Sequence, residues 1–118
     1  MVEVFKFDKI FKHDKKIKNP QDNDEIILCA ACLYKNRIKY ISQPSNIKDG
    51  IVTLGYRHGE AIKMMDLLFP NIKWCENSVQ GFLSSKNRFL TRVEAMQIAY
   101  KAKQVEELGC ALISEDLY

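Results

Sequence analysis

Residues 80–104 read QGFLSSKNRFLTRVEAMQIAYKAKQ, from Gln80 to Gln104. Lys86-Asn87 lies between two apolar-containing runs, and Asn tolerates positive φ, so a β-hairpin is expected with Gly81–Ser85 and Arg88–Leu90 as its arms. A two-residue turn would set Ser85 opposite Arg88, Ser84 opposite Phe89, Leu83 opposite Leu90 and Phe82 opposite Thr91. Cross-strand partners share a face. One face would then carry Leu83, Leu90 and Arg88, and the other Phe82, Phe89 and Ser84. Both are partly apolar. Phe82 is therefore either a core residue of a two-sided hairpin or an exposed platform beside arginines, on which a purine can stack.

The hairpin runs straight into a helix. Thr91-Arg92-Val93-Glu94 has the spacing of a capping box, with Thr91 as the cap and Glu94 reaching back to it. Ala95, Ile98, Ala99 and Ala102 fall on one face, small enough for close approach to a sheet or a second helix. Arg92 occupies the first helical position, where the dipole disfavours a cation by up to about 1 kcal/mol. Two readings fit: Arg92 shares an anion with the free amides of the helix start, or it leans into solvent. Beyond Gln104 the helix continues or frays up to Gly109, a natural stop. Cys110–Ile113 is a short strand candidate, and Ser114-Glu115-Asp116-Leu117-Tyr118 closes the sequence.

Upstream, Glu25–Lys35 contains the nearly continuous apolar run of a strand buried on both faces. Arg37–Ser42 alternates and reads as the returning arm of a hairpin about Asn36. Ile51–Leu54 is a third strand, ending at Gly55. His58, Ala61, Ile62, Met65, Leu68 and Phe69 then share one helical face, and Pro70 ends the helix. Gly55-Tyr56-Arg57-His58-Gly59 is thus a strand-to-helix junction. Its free amides and positive dipole end suit an anion, and Arg57 can grip a phosphate through two hydrogen bonds. Alternatively, His58 heads the buried face and Arg57 is solvated. Ile72–Cys75, which holds Trp74, reads as either a short strand or a core plug.

The chain has 118 residues and a formal charge of +3. That excess is too small for a duplex-binding domain, which usually shows a basic stripe. No apolar run approaches the roughly 18 residues of a membrane span, and the N-terminus lacks the apolar core of a signal peptide, so a cytosolic protein is expected. Cys29 and Cys32 have CxxC spacing, but in a strand residues three apart face opposite ways, so no metal site is expected. The two histidines, His13 and His58, are far apart, and no nucleophile motif accompanies them. A non-enzymatic protein without cofactor is the expectation. Residues 1–24 read as a lysine-rich extension and 25–118 as a single domain. The fold class is α+β: a small antiparallel sheet with two main helices packed on it.

Several spaced motifs, QGFLSSKNRFLTRVEA, the alanine-bearing AMQIAYKAKQ, the terminal SEDLY and the upstream GYRHG, resemble the phage Thoeris anti-defence family, type one. The resemblance covers about residues 25–118 and makes that single domain a nucleotide-binding one. It implies a homodimer or larger homo-oligomer in the cytoplasm of an infected bacterium. It also implies binding, without cleavage, of cyclic ADP-ribose isomers made by TIR-domain defence enzymes, with cyclic oligonucleotides at a separate site in some members. Carried onto this sequence, it makes Phe82 the base-stacking residue. Arg57, Arg88 and Arg92 would hold the diphosphate, and His58, Glu115 and Asp116 would make polar contacts. A nucleic-acid or partner-binding accessory protein and a nucleotide hydrolase are the competing functions.

Overall fold

The computed structural model describes residues 24–118, so the expectations for residues 1–23 lie outside the described residues. Four strands form one antiparallel sheet: β1 Ile27–Tyr34, β2 Ile51–Gly55, β3 Ser78–Ser84 and β4 Phe89–Thr91, in the order β2-β1-β3-β4. Two helices, α1 His58–Leu68 and α2 Arg92–Lys101, follow β2 and β4. The fold is α+β, as the sequence indicates.

β1 is central because its apolar side chains serve two layers. Cys32 and Tyr34 pack under α1 with Ala61, Met65 and Trp74. Ile27 and Ala30 pack under α2 with Phe82, Leu90, Ala95, Met96 and Ala99. Ala31 and Leu33 point the other way, into a cluster with Phe89, Ile47, Val52 and Val79. A strand with both faces covered needs this unbroken apolar run. The alanines of α2 that touch the sheet, Ala95 and Ala99, are fully buried. Trp74 is indeed a core residue, and its indole Nε1 donates to Asp66 of α1 at 2.8 Å.

The back layer corrects one expectation. Arg37–Ser42 is not a strand. It makes a single bridge, Lys39 to Gly50, and both Arg37 and Ser42 take positive φ. An alternating pattern needs a neighbour to pair with, and β1 already has β2 and β3 on its two sides. The chain instead crosses the back of the sheet, laying Ile47 on Ala31, Leu33 and Phe89. On the way it closes both sheet edges with side-chain amides. Gln43 Oε1 accepts from Val52 N of β2 at 2.8 Å. Asn46 Oδ1 accepts from Phe89 N of β4 at 2.8 Å, and Asn46 Nδ2 donates to Phe89 O at 2.8 Å. Open strand edges invite pairing with other chains, and covering them removes that hazard.

The hairpin is also corrected, by one residue. Its pairs are Gly81 with Thr91, Phe82 with Leu90 and Leu83 with Phe89. Ser84 N donates to Arg88 O at 2.9 Å, and Asn87 is left-handed at φ 58°. The loop is therefore Ser85-Lys86-Asn87, three residues with Asn in the left-handed slot, rather than a two-residue turn. A one-residue slip exchanges faces. Phe82, Leu90 and Ser84 turn together toward α2, while Phe89 turns to the back.

After α2 the chain also departs from expectation. The helix ends at Lys101, capped by Ala102, and Lys103 turns with φ 62°. Gln104 then fills the irregularity at the start of β1: its Oε1 accepts from Ile27 N at 2.8 Å and its Nε2 donates to Ile27 O at 2.9 Å. Residues 110–113 form no strand. Leu112 instead plugs the α2 core, and Leu112 N donates to Arg92 O at 2.9 Å. A short 3-10 turn, Ser114–Asp116, follows and brings Tyr118 to the end of β2.

Candidate functional site

Both helices begin in mid-sheet, on the same face, and residues 112–118 run between their starts. Gly55 lets α1 fold back sharply. A Cβ at this position would stand 2.7 Å from Ala61 N and 2.8 Å from Arg57 O. His58, the first residue of α1, is 8% exposed and crosses to β3, where its Nε2 lies 2.7 Å from Gly81 O. A carbonyl only accepts, so Nε2 carries the proton. The ring meets Phe82 edge-on, with centroids 4.9 Å apart. Burial pushes the His58 pKa below its ordinary value. The bond to the Gly81 carbonyl opposes this, the Arg92 charge adds to the lowering, and Glu115 acts the other way. His58 is therefore a neutral, positioned donor that ties α1 to β3.

Arg57 stands at the entrance of this corner. Its guanidinium carbon is 5.2 Å from the Tyr56 ring centroid and 5.3 Å from that of Tyr118. Its Nη1 is buried and has no acceptor among the described residues. The amide of Arg57 is taken: Glu60 Oε1 accepts from it at 2.6 Å, so Glu60 sits at the α1 start where an anion was expected. The capping box of α2 forms as read, with Thr91 Oγ1 accepting from Glu94 N and Glu94 Oε1 accepting from Thr91 N.

Four expected ligand contacts look different in place. Phe82 is 0% exposed, under α2. It belongs to the core and offers no exposed face for a base, because the register slip turns it inward. Arg88 is not a free cation: its Nε and Nη2 donate to Glu25 at 2.9 and 2.8 Å. Arg92 has intramolecular acceptors, Gln80 Oε1 at 2.6 Å and Leu112 O at 3.1 Å. Its position at a helix start is thus explained by holding the closing segment to β3, without an anion. Asp116 turns back on its own segment, accepting from Ile113 N at 3.1 Å. Glu115 comes near enough to His58 to act on its titration. The fold therefore gathers Arg57, His58, Arg92 and Glu115 in one corner and leaves Arg88 out of it. It adds Tyr56 and Tyr118, which local sequence patterns did not single out, since nothing in a linear pattern reports that two tyrosines 62 positions apart will stack.

The Glu25–Arg88 pair makes a stability prediction. Glu25 also accepts from the Ser84 hydroxyl, and its side chain is 7% exposed against 42% for Arg88. The Arg88 guanidinium holds the Glu25 carboxyl below the usual range, with Ser84 helping and burial opposing. A depressed carboxylate pKa contributes stability above the unfolded-state value that is lost as pH falls through the folded value. His58, also depressed, has the same sign and starts to act below about pH 6.5. The melting temperature is thus expected to fall progressively from about pH 6.5 and more steeply below about pH 4.5. Glu25→Gln is expected to flatten the lower part of that curve and to cost about 2 kcal/mol at pH 7, short of a fully buried pair because Arg88 is partly solvated. An unchanged acid profile in Glu25→Gln would rule out this pair as its origin.

Among the described residues no cluster of His, Cys, Asp or Glu is placed to hold a metal ion. Cys32 lies buried under α1, while Cys29 is half-buried beside Gly55. No helix among the described residues is long and apolar enough to cross a membrane.

The fold and this corner define a small α+β protein whose sheet carries two helix starts and a closing segment on one face. A family model described as phage T4 y16D protein matches residues 26–118, and the chain belongs to that phage protein family. It is in this sense a phage accessory protein. No curated protein and no solved structure matches the chain significantly.

Proposed function

We propose that this protein sequesters a cyclic ADP-ribose isomer made by bacterial TIR-domain defence enzymes, holding it without cleavage in the cytoplasm of the infected host. The observation that carries the reading is Arg57 Nη1, a buried guanidinium nitrogen without an acceptor. A buried polar group left unpaired costs about 1–3 kcal/mol. The acceptor that best matches a planar guanidinium is a phosphate or carboxylate. Aromatic rings beside it, Tyr56 and Tyr118, suit a nucleotide better than inorganic phosphate. The motif resemblance supplies the particular nucleotide. His58 supports the non-enzymatic reading: it is buried, neutral and committed to the Gly81 carbonyl, and so is poorly placed to shuttle protons. A homodimer or larger homo-oligomer, and a separate site for cyclic oligonucleotides, belong to the same proposal.

The test is direct. Protein mixed with a TIR-made cyclic ADP-ribose isomer is expected to deplete it from the filtrate, and heating is expected to return it intact by mass spectrometry. Arg57→Ala, folded by its melting curve, is expected to retain the nucleotide about 30-fold less tightly, the loss of one charge-assisted contact. Recovery of a cleaved product would replace the proposal with a hydrolase. No depletion at all would leave an accessory protein with a macromolecular partner, for which salt-dependent nucleic-acid titration is the next measurement.

A further inference from the structure

Tyr56 and Tyr118 stack with centroids 4.2 Å apart and planes at 27°. Tyr56 is nevertheless 59% exposed and Tyr118 36%. The Arg57 guanidinium is almost equidistant from the two centroids. It lies within cation–π distance of both rings. A π-system accepts no directed N–H bond as an anion does, and Arg57 Nη1 is buried there without an acceptor. The closed arrangement satisfies the two rings and leaves the arginine unsatisfied.

Tyr118 is also the part of its segment that can leave most easily. Leu112 and Leu117 are anchored in the α2 core, Ser114 is buried, and Arg92 clamps Leu112 O. The Tyr118 ring is held by Tyr56, by burial that raises its phenol pKa, and by the Ala30 backbone. Swinging the ring away would leave those anchors in place. What it would uncover is one face of Tyr56 and Arg57 Nη1, side by side.

We infer that Tyr118 occupies the place of a nucleobase: an adenine ring displaces it from Tyr56, and a phosphate oxygen of the same ligand takes Arg57 Nη1. This rests on the nucleotide reading above and moves the stacking role from Phe82 to Tyr56. Exchanging one aromatic partner for another conserves the stacking on Tyr56, while the phosphate supplies the missing acceptor. Tyr118 thereby acts as a competitive gate. A gate lowers apparent affinity by the fraction of time it is open, and removing it restores that factor.

The experiment uses three probes, AMP, inorganic pyrophosphate and the TIR-made cyclic isomer, titrated calorimetrically into the wild-type full chain and into Tyr118→Ala, Tyr118→Phe and Tyr56→Ala. For AMP, Tyr118→Ala is expected to bind about five- to ten-fold tighter through a faster association. Tyr56→Ala is expected to bind about ten-fold more weakly, having lost its stacking surface. Tyr118→Phe keeps the ring and is expected to match wild type, and pyrophosphate, which has no base to stack, is expected to be unaffected by Tyr56→Ala. Weaker or unchanged AMP binding by a Tyr118→Ala protein of wild-type melting temperature overturns the gate. If the cyclic isomer is retained equally by all variants, the gate falls and sequestration stands. If AMP behaves as expected but the cyclic isomer is not retained, sequestration falls and the gate stands. Binding of no nucleotide overturns both.

Discussion

Phe82→Ala is expected to destabilise the protein by about 3–5 kcal/mol, the range for emptying a buried phenylalanine site. Phe82 is fully buried and is the bulkiest of the fully buried side chains, in a cluster with Ile27, Ala30, Leu90, Ala95, Met96, Ala99 and Leu112. It also supports the His58 ring edge-on. Its loss therefore removes the packing beneath α2 and the wall behind the α1 start. For a domain of this size each kcal/mol moves the melting temperature by roughly 4–8 °C, so the fall is expected to exceed about 12 °C. The informative companion is Phe82→Leu, which conserves much of the volume and is expected to cost no more than about 1.5 kcal/mol. A core role predicts that folded Phe82→Leu still retains nucleotide. A stacking role predicts that Phe82→Leu keeps its melting temperature and loses binding by ten-fold or more. Thermal melts and retention measured on the same preparations decide between the two.

The contrast shows which parts of this molecule can be read from its sequence. The α2 start was legible because a capping box is local: Thr91 and Glu94 bond within one turn, and their spacing alone specifies the contact. β1 was legible because covering on both faces leaves an unbroken apolar run. The α1 face was legible because His58, Ala61 and Met65 repeat at helical spacing and are all buried. The hairpin register was not, because Lys86-Asn87 and Ser85-Lys86-Asn87 are both acceptable turns. The choice rests on packing of Phe82 against α2 and of Phe89 under Ile47. That single residue of slip decides whether Phe82 is platform or core. Residues 37–42 misled for a related reason, since alternation signals strand geometry without guaranteeing a free neighbour.

The site was legible in part, along the same line. Arg57 and His58 were found because a strand-to-helix junction is a local feature, and in the structure His58 feels the charges of Arg92 and Glu115 while Arg57 meets Tyr56 and Tyr118. Arg88 and Arg92 were credited with a ligand by the family resemblance, and Arg92 also by its place at a helix start, yet their acceptors are Glu25, Gln80 and Leu112, each at least 12 positions away. Long-range satisfaction of a charge is invisible to local pattern. What remains after those partners are assigned is Arg57, and so the unsatisfied group, rather than the number of arginines, locates the corner.

Gly81→Ala is expected to be the most damaging single-methyl change in the chain, at 3 kcal/mol or more, approaching the loss of the fold. Gly81 lies in β3 between Ala31 of β1 and Thr91 of β4, and its carbonyl accepts from His58. Its backbone is not left-handed, so conformational freedom is not the reason for glycine. The reason is proximity: a Cβ there would run into the Leu90 carbonyl oxygen and stand 2.8 Å from Phe89 Cζ and 3.1 Å from Leu90 C. A side-chain tip can move, but Leu90 carbonyl belongs to the paired backbone of β4. Overpacking in a core ordinarily costs about 1–3 kcal/mol. Here relief requires parting β4 from β3, which pulls on the Leu90 packing, the α2 start and the Asn46 clamp together. The double variant Gly81→Ala, Phe89→Leu separates the two clashes. If the Phe89 ring were the obstacle, trimming it would restore stability. With the Leu90 backbone as the obstacle, the double variant is expected to be no more stable than Gly81→Ala alone. A Gly81→Ala protein melting within about 5 °C of wild type, or rescued by Phe89→Leu, would show that β4 can yield. The close approach would then not be what requires glycine between Gln80 and Phe82.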